Sequence, residues 1–119
     1  MEAILANTAL PLRNPDRRKV GVVYADSTIT LTNDATLVFA ATAGAAFTAT
    51  LPAAADVPAG DAIEFKKTDA SANDFTVARA GADTIDGANS KVLGAQYDWL
   101  RLISDGVSKW SVAGSVLSA

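Results

Sequence analysis

From residue 20 onward, apolar and polar residues alternate with a period of two. Val20-Gly21-Val22-Val23-Tyr24 reads as a strand, and in Thr28-Ile29-Thr30-Leu31-Thr32 apolar residues alternate strictly with threonine. Leu37, Phe39 and Ala41 fall on one face of the next run. Phe47, Ala49 and Leu51 fall on one face of the run after it, with Thr48 and Thr50 opposite. Such alternation marks strands with one buried face. Ile63 and Phe65 then oppose Glu64 and Lys66, and Phe75 and Val77 repeat the pattern. Shorter candidates follow at Thr84-Ile85 and Lys91-Val92-Leu93. Phe39, Phe47, Leu51, Ile63, Phe65, Val77, Ile85, Leu102 and Ile103 are the expected interior or interface residues.

Breaks between the runs carry turn chemistry. Asn33-Asp34 turns the chain, and Pro58-Ala59-Gly60-Asp61 favours a tight turn within the loop 52–60. Asp105-Gly106 sits between two strands at 97–104 and 109–113 and signals a hairpin, with a loop of two or four residues. No helix of useful length is needed. About nine short strands at this spacing predict an all-β domain over 20–119. The expected form is a compact β-sandwich or jelly-roll-like barrel of short antiparallel strands.

The last hairpin has a second feature. Along 97–103 one face carries Tyr97, Trp99 and Ile103, interrupted by Arg101, while the other carries Leu100 and Leu102. One face packs on the core, and the other also needs cover from a second sheet or a neighbouring subunit. Tyr97, Trp99, Leu100, Arg101, Leu102 and Trp110 are therefore the candidate subunit interface.

Residues 1–19 lack a sustained period. Pro11 and Pro15 stop any helix, Leu10 and Leu12 flank Pro11 in a manner suited to an extended path, and Asn14-Pro15-Asp16 is a turn signal. This stretch reads as an extended N-terminal arm that the β-body does not need in order to fold. Ile4, Leu5, Leu10 and Leu12 are too apolar for a segment that never meets a surface.

Composition narrows the chemistry. Half of the 119 residues are apolar, but 25 of these are Ala, so the core is thin and help from partner subunits is expected. Neither His nor Cys occurs, which excludes Ser-His and Cys-His nucleophilic systems, thiolate zinc sites and disulfides. The net charge of −3 argues against nucleic-acid binding. Its distribution is uneven: Arg13, Arg17, Arg18 and Lys19 against Glu2 and Asp16 make residues 1–19 slightly basic, and the rest is acidic. No stretch is long and apolar enough to span a membrane, and the start lacks a signal peptide's pattern, so synthesis in the cytoplasm is expected.

Candidate sites are few. Ala80-Gly81-Ala82-Asp83-Thr84-Ile85-Asp86-Gly87 matches a single calcium-binding nonapeptide. That architecture needs stacked copies, which favours ordinary turn roles for Asp and Gly. Asp61, Glu64 and Asp69 could pair for carboxylate chemistry, although most acids here fall in loops or on outer faces. Tyr97, Trp99 and Trp110 could form a sugar-stacking platform, but large aromatics in strands more often anchor cores and interfaces. No enzyme, cofactor or metal site is expected.

From about Ala49 to Gly114 the chain resembles a small β-module of tailed-phage structural proteins, found in tail fibres, tail spikes and capsid decoration (cement) proteins. The resemblance rests on Thr50-Leu51-Pro52-Ala53-Ala54, Gly60 with Ile63-Glu64-Phe65-Lys66-Lys67-Thr68-Asp69, and Ala72-Asn73 with Phe75-Thr76-Val77. It continues through Thr84-Ile85-Asp86-Gly87, Gln96-Tyr97, Leu100-Arg101-Leu102 and Ser104-Asp105-Gly106 before Trp110. It implies a non-enzymatic homotrimer in the virion. A module behind a short arm is most similar to a decoration protein on the outer capsid surface, bound to the major capsid protein. The arm would staple neighbouring capsomers through Ile4, Leu5, Leu10, Leu12, Arg13, Arg17, Arg18 and Lys19. The alternative is a receptor- or glycan-binding module of a tail or head fibre.

Overall fold

The computed structural model describes residues 21–117. The expected arm at 1–19, with its eight candidate contact residues, lies outside them. The described chain is all-β and forms two packed sheets, as the alternation predicts. The strands are β1 (Val22–Ala25), β2 (Ile29–Thr30), β3 (Leu37–Ala40), β4 (Phe47–Thr50), β5 (Ala62–Lys67) and β6 (Phe75–Ala78). After them come β7 (Thr84–Ile85), β8 (Ser90–Leu93), β9 (Trp99–Ser104) and β10 (Lys109–Val116). One sheet has the order β1-β3-β5-β9-β10-β7 and the other β2-β4-β6-β8.

The pairing differs from the expected antiparallel pattern. Five of the eight strand pairs are parallel: β1 with β3, β3 with β5, β2 with β4, β4 with β6, and β7 with β10. Antiparallel pairs join β5 to β9, β6 to β8 and β9 to β10. The cause is the path of the chain. Consecutive strands through β6 alternate between the sheets, so each pair β1/β2, β3/β4 and β5/β6 is one rung of a short winding, and successive rungs stack in parallel. The reversed strands β8 and β9 cover the third rung, one in each sheet.

Two local features fix this winding. Gly21 enters β1 where the next turn crosses it, and its position leaves no room for a side chain: a Cβ there would lie 1.8 Å from the Asp34 carbonyl oxygen. The loop before β5 closes as its residues predict, with Asp61 N–H donating to Pro58 C=O at 3.0 Å and Gly60 at φ 93°. The last hairpin has the four-residue loop 105–108. Gly106 takes φ 78°, and Asp105 Oδ1 accepts the N–H groups of Val107, Ser108 and Lys109 at 2.8, 3.0 and 3.0 Å.

Between the sheets lie Val38, Leu51, Ile63, Phe65, Phe75, Val77, Ile85, Leu93, Leu100, Leu102 and Trp110, all essentially inaccessible. Phe65 packs beside Phe75 at a ring-centroid distance of 6.2 Å, and Phe75 beside Phe47 at 5.3 Å. Most of the expected interior residues are found there. Phe39 and Ile103 are not: each is half-buried on the outer face of the six-stranded sheet. In β3 the inward residues are Val38 and Ala40, not Leu37, Phe39 and Ala41. Every position of Leu-Val-Phe-Ala is apolar, so alternation alone does not choose the phase.

Candidate interaction surface

The outer face of the six-stranded sheet is built from the strand positions that point away from the core. Register places them in rows. Tyr24, Phe39, Lys66, Trp99 and Val116 lie side by side across β1, β3, β5, β9 and β10. The neighbouring row runs Val22, Leu37, Glu64, Arg101 and Gly114. Ile103 continues the face beside Ala62.

The face is largely apolar, and no other described element covers it. Tyr24 is 79% exposed and Val22 45%, and the Tyr24 ring stacks on Phe39 with centroids 5.4 Å apart. The far edge of the Trp99 indole reaches over Gly114 of β10, the partner of Arg101 in register; a Cβ there would come within 2.9 Å of the ring. Beside it Leu37, Glu64, Phe65, Lys66 and Trp99 line a depression of about 290 Å3. The polar groups here are mutually paired. Arg101 Nε meets Glu64 Oε2 at 3.5 Å, and Lys66 Nζ sits 5.4 Å from the Tyr97 ring centroid. Tyr97 itself adopts φ 69° and donates its N–H to Lys67 C=O at 2.7 Å. A bulky residue with positive φ is uncommon, and here it brings the ring to the edge of the apolar face.

The candidate interface residues divide. Tyr97, Trp99 and Arg101 are on this face. Leu100, Leu102 and Trp110 are fully buried in the core and offer no contact surface. Burial of Trp110 also dismantles the platform of Tyr97, Trp99 and Trp110, although Trp110 Nε1 has no hydrogen-bond partner among the described residues. Val22, Tyr24, Leu37 and Phe39 are the members that sequence reasoning missed as surface. Their signal is the one seen at 97–103, apolar residues at consecutive positions and hence on both faces of a strand.

A second polar cluster sits at the corner where the β3–β4 and β5–β6 connections meet. Lys67 is the inward residue at the end of β5 and is fully buried. Its Nζ donates to Asp69 C=O at 2.9 Å and Ser71 C=O at 2.8 Å, and pairs with Asp69 Oδ2 at 3.3 Å. Asp69 Oδ1 accepts Thr42 N–H at 2.6 Å and Thr42 Oγ1–H at 3.0 Å, and Oδ2 accepts from Ser71 N and Oγ. Asn73 Nδ2 reaches Thr42 C=O at 2.7 Å. Burial pushes the Asp69 pKa up, but the hydrogen bonds from Ser71 and Thr42 outweigh it and hold the carboxyl well below the usual range. The group ties successive rungs together.

Of the carboxylates weighed for catalysis, Glu64 is on the outer face with Arg101 and Asp69 is in the corner cluster, while Asp61 begins the entry to β5, where its backbone C=O accepts Ser104 N–H. The single nonapeptide also resolves into turns. Asp86 and Gly87, at φ 48° and 82°, form a tight turn closed by reciprocal bonds between Ile85 and Ala88. Asp83 Oδ2 caps Ala54 N–H at 2.9 Å, and Asp86 Oδ1 accepts Val112 N–H at 3.3 Å. No group of three acidic side chains placed to hold a metal occurs among the described residues. No helix among them is long and apolar enough to cross a membrane. No family model matches the chain, and no curated protein matches it.

Proposed function

We propose that this chain is a non-enzymatic structural protein of a tailed-phage particle: a homotrimeric decoration protein that binds the major capsid protein on the outer shell. The observation that carries the reading is the set of outward apolar residues Tyr24, Phe39 and Trp99 with Val22, Leu37 and Ile103 beside them, which no other described element covers. Outward apolar and aromatic residues on both sides of the polar residues Glu64, Lys66 and Arg101 suit a contact with another protein surface. The small, alanine-rich core supports self-association, and the ordered motifs between Ala49 and Gly114 support the phage setting. Residues 1–19 supply the link to neighbouring capsomers, where three tethered contacts on one body gain avidity of about 10²–10⁴ over one. The test has two readouts. Light scattering on dilute protein should give the mass of three chains, and the purified protein should co-sediment with expanded, undecorated capsids. A folded monomer that ignores the capsids refutes the reading.

One observation favours a second reading. Tyr24 and Tyr97 are the most exposed aromatics of the face, and Trp99 borders its depression. Aromatic rings beside paired polar groups suit stacking on a sugar, as in the receptor-binding module of a tail or head fibre. Binding of the trimer to immobilised host glycans, lost in Tyr24→Ala and Tyr97→Ala, would favour that reading over the shell.

A further inference from the structure

The depression on the outer face has a defined wall chemistry. β5 runs between β3 and β9, and alternation turns Glu64 and Lys66 outward while Phe65 points to the core and lies beneath the floor. Leu37, beside Glu64 in register, forms one wall; Trp99, beside Lys66, forms the other. The trough is therefore apolar on two sides and ends on two polar groups of opposite sign. Glu64 and Lys66 are two residues apart on one strand, so about 6.6 Å separates their Cα atoms. With a volume of about 290 Å3, the trough sits at the lower limit of small-molecule sites, which are mostly apolar with a few placed polar groups.

These groups are held in place before any ligand arrives. The far edge of the Trp99 indole is seated over Gly114, where a Cβ would come within 2.9 Å of the ring, so little side-chain freedom is left to lose on binding. Arg101 Nε braces Glu64 Oε2 at 3.5 Å, and the two side chains remain 43% and 51% exposed. A carboxylate offers about four acceptor positions, so one contact leaves it able to accept hydroxyl protons. Lys66 Nζ stands 5.4 Å from the Tyr97 ring centroid. That contact uses its charge and leaves its N–H donors usable.

We propose that this depression is a subsite for a single neutral pyranose ring. The C–H face of the sugar lies against Trp99, as apolar surface on an aromatic ring, with Leu37 on its opposite side. Ring hydroxyls donate to Glu64 at one end and accept from Lys66 at the other. The charges decide the class. One carboxylate faces one ammonium along the trough, so neither an anion nor a cation gains a net partner. A purely apolar ligand would strip water from both groups without replacing its hydrogen bonds. A hexose carries an apolar face and a polar rim on one rigid ring and meets both demands. The inference rests on the glycan-binding reading, in which this face stays open, and gives it a place. Tyr24 and Tyr97 do not line the depression, so a glycan chain reaches them only through its neighbouring sugar units.

Trp99 and Trp110 are the two tryptophans of the chain, and Trp110 is fully buried, so acrylamide quenching of the full-length protein reads Trp99. The probes are methyl α-glucoside, methyl β-galactoside, methyl α-mannoside and methyl N-acetyl-β-glucosaminide. A ring of about twelve non-hydrogen atoms corresponds to a Kd of about 1–10 mM. At least one probe should halve the quenching constant, saturably in that range, whereas sorbitol, a polyol without a ring, should not. Glu64→Gln should weaken this protection at least fivefold. Leu37→Phe, which fills the depression, should abolish it, and Tyr24→Ala should leave it intact. Protection by none of the four probes, or protection unaffected by Glu64→Gln and Leu37→Phe, overturns the subsite. The glycan-binding reading survives that failure if immobilised host glycans are still bound, and falls with it if they are not. A Trp99 already shielded from acrylamide in the free protein overturns both, because the face is then covered.

Discussion

Replacing Asp69 by Ala isolates the energetics of the corner cluster. The substitution leaves the Lys67 ammonium buried, holding only the Asp69 and Ser71 carbonyls, and strips Thr42 and Ser71 of their shared acceptor. Removing one partner of a buried pair costs about 3–5 kcal/mol, because the remaining charge keeps its desolvation penalty. Lys67→Met removes the charge itself and fills the same space with an apolar chain. Its cost is the two carbonyls left unbonded, about 1–3 kcal/mol, offset in part by the absence of a buried ion. Asp69→Ala should therefore be the more damaging change, although Lys67 is the more deeply buried residue. The double variant should lose less than the sum of the two, since Lys67→Met removes the charge that Asp69→Ala strands. Urea denaturation followed by circular dichroism measures all three. If Asp69→Ala costs under about 1 kcal/mol, or the two changes simply add, the cluster is not a coupled unit and the reasoning fails.

Acid should expose the same group. Its folded pKa lies below the ordinary value of 3.8, so its contribution is complete above that pH and is lost progressively as pH falls below it; Asp69→Ala should flatten the stability profile below pH 4. Gly21→Ala should cost about 3 kcal/mol or more or prevent folding, because the clash is with backbone. Gly44→Ala, which meets nothing within 4 Å, should be neutral or stabilise by about 0.4–1 kcal/mol in the same melts. Phe65→Ala should cost about 3–5 kcal/mol as a cavity between the sheets, and a loss under about 1 kcal/mol would refute its place there. If the outer face assembles the proposed trimer, Phe39→Ser combined with Trp99→Ser should give a monomer by light scattering while circular dichroism keeps the β-signature; an unchanged mass would clear the outer face of a role in assembly.

Alternation in the sequence locates nearly every strand and most inward residues, because a half-buried strand must alternate. Three kinds of information are not carried that way. The first is partner choice. Period two is the same for a strand that pairs with its chain neighbour and for one that pairs a rung later, so the parallel stacking of β1, β3 and β5 was not readable from the alternation. The second is phase where both faces are apolar, as at Leu37–Ala40. The third is the buried lysine. Lys67 follows Lys66 in a strand, and nothing in the residue types says that one points to the Tyr97 ring and the other to the core. Strand phase decides it: Ile63, Phe65 and Lys67 share the inward side, and the connection after β5 supplies the carbonyls that make the burial tolerable.

The candidate surface was half-legible for the same reason. Tyr97, Trp99 and Arg101 were readable because Leu100 and Leu102 claim the core face, leaving their neighbours no place but outside. Trp110 was not, since its own strand is polar on one side and the indole fills the interior beside Ile85 in register. The two outer strands complete the picture only once pairing is known. Register carries the apolar row from Trp99 through Lys66 to Phe39 and Tyr24, residues far apart in sequence. A sheet whose inner face is already packed has no internal use for that row. Its remaining polar members are paired with one another, Glu64 with Arg101 and Lys66 with Tyr97, which lowers the cost of removing them from water. These features support the proposed contact with another protein surface, and the mass and sedimentation measurements test whether a copy of the chain or a shell covers the face.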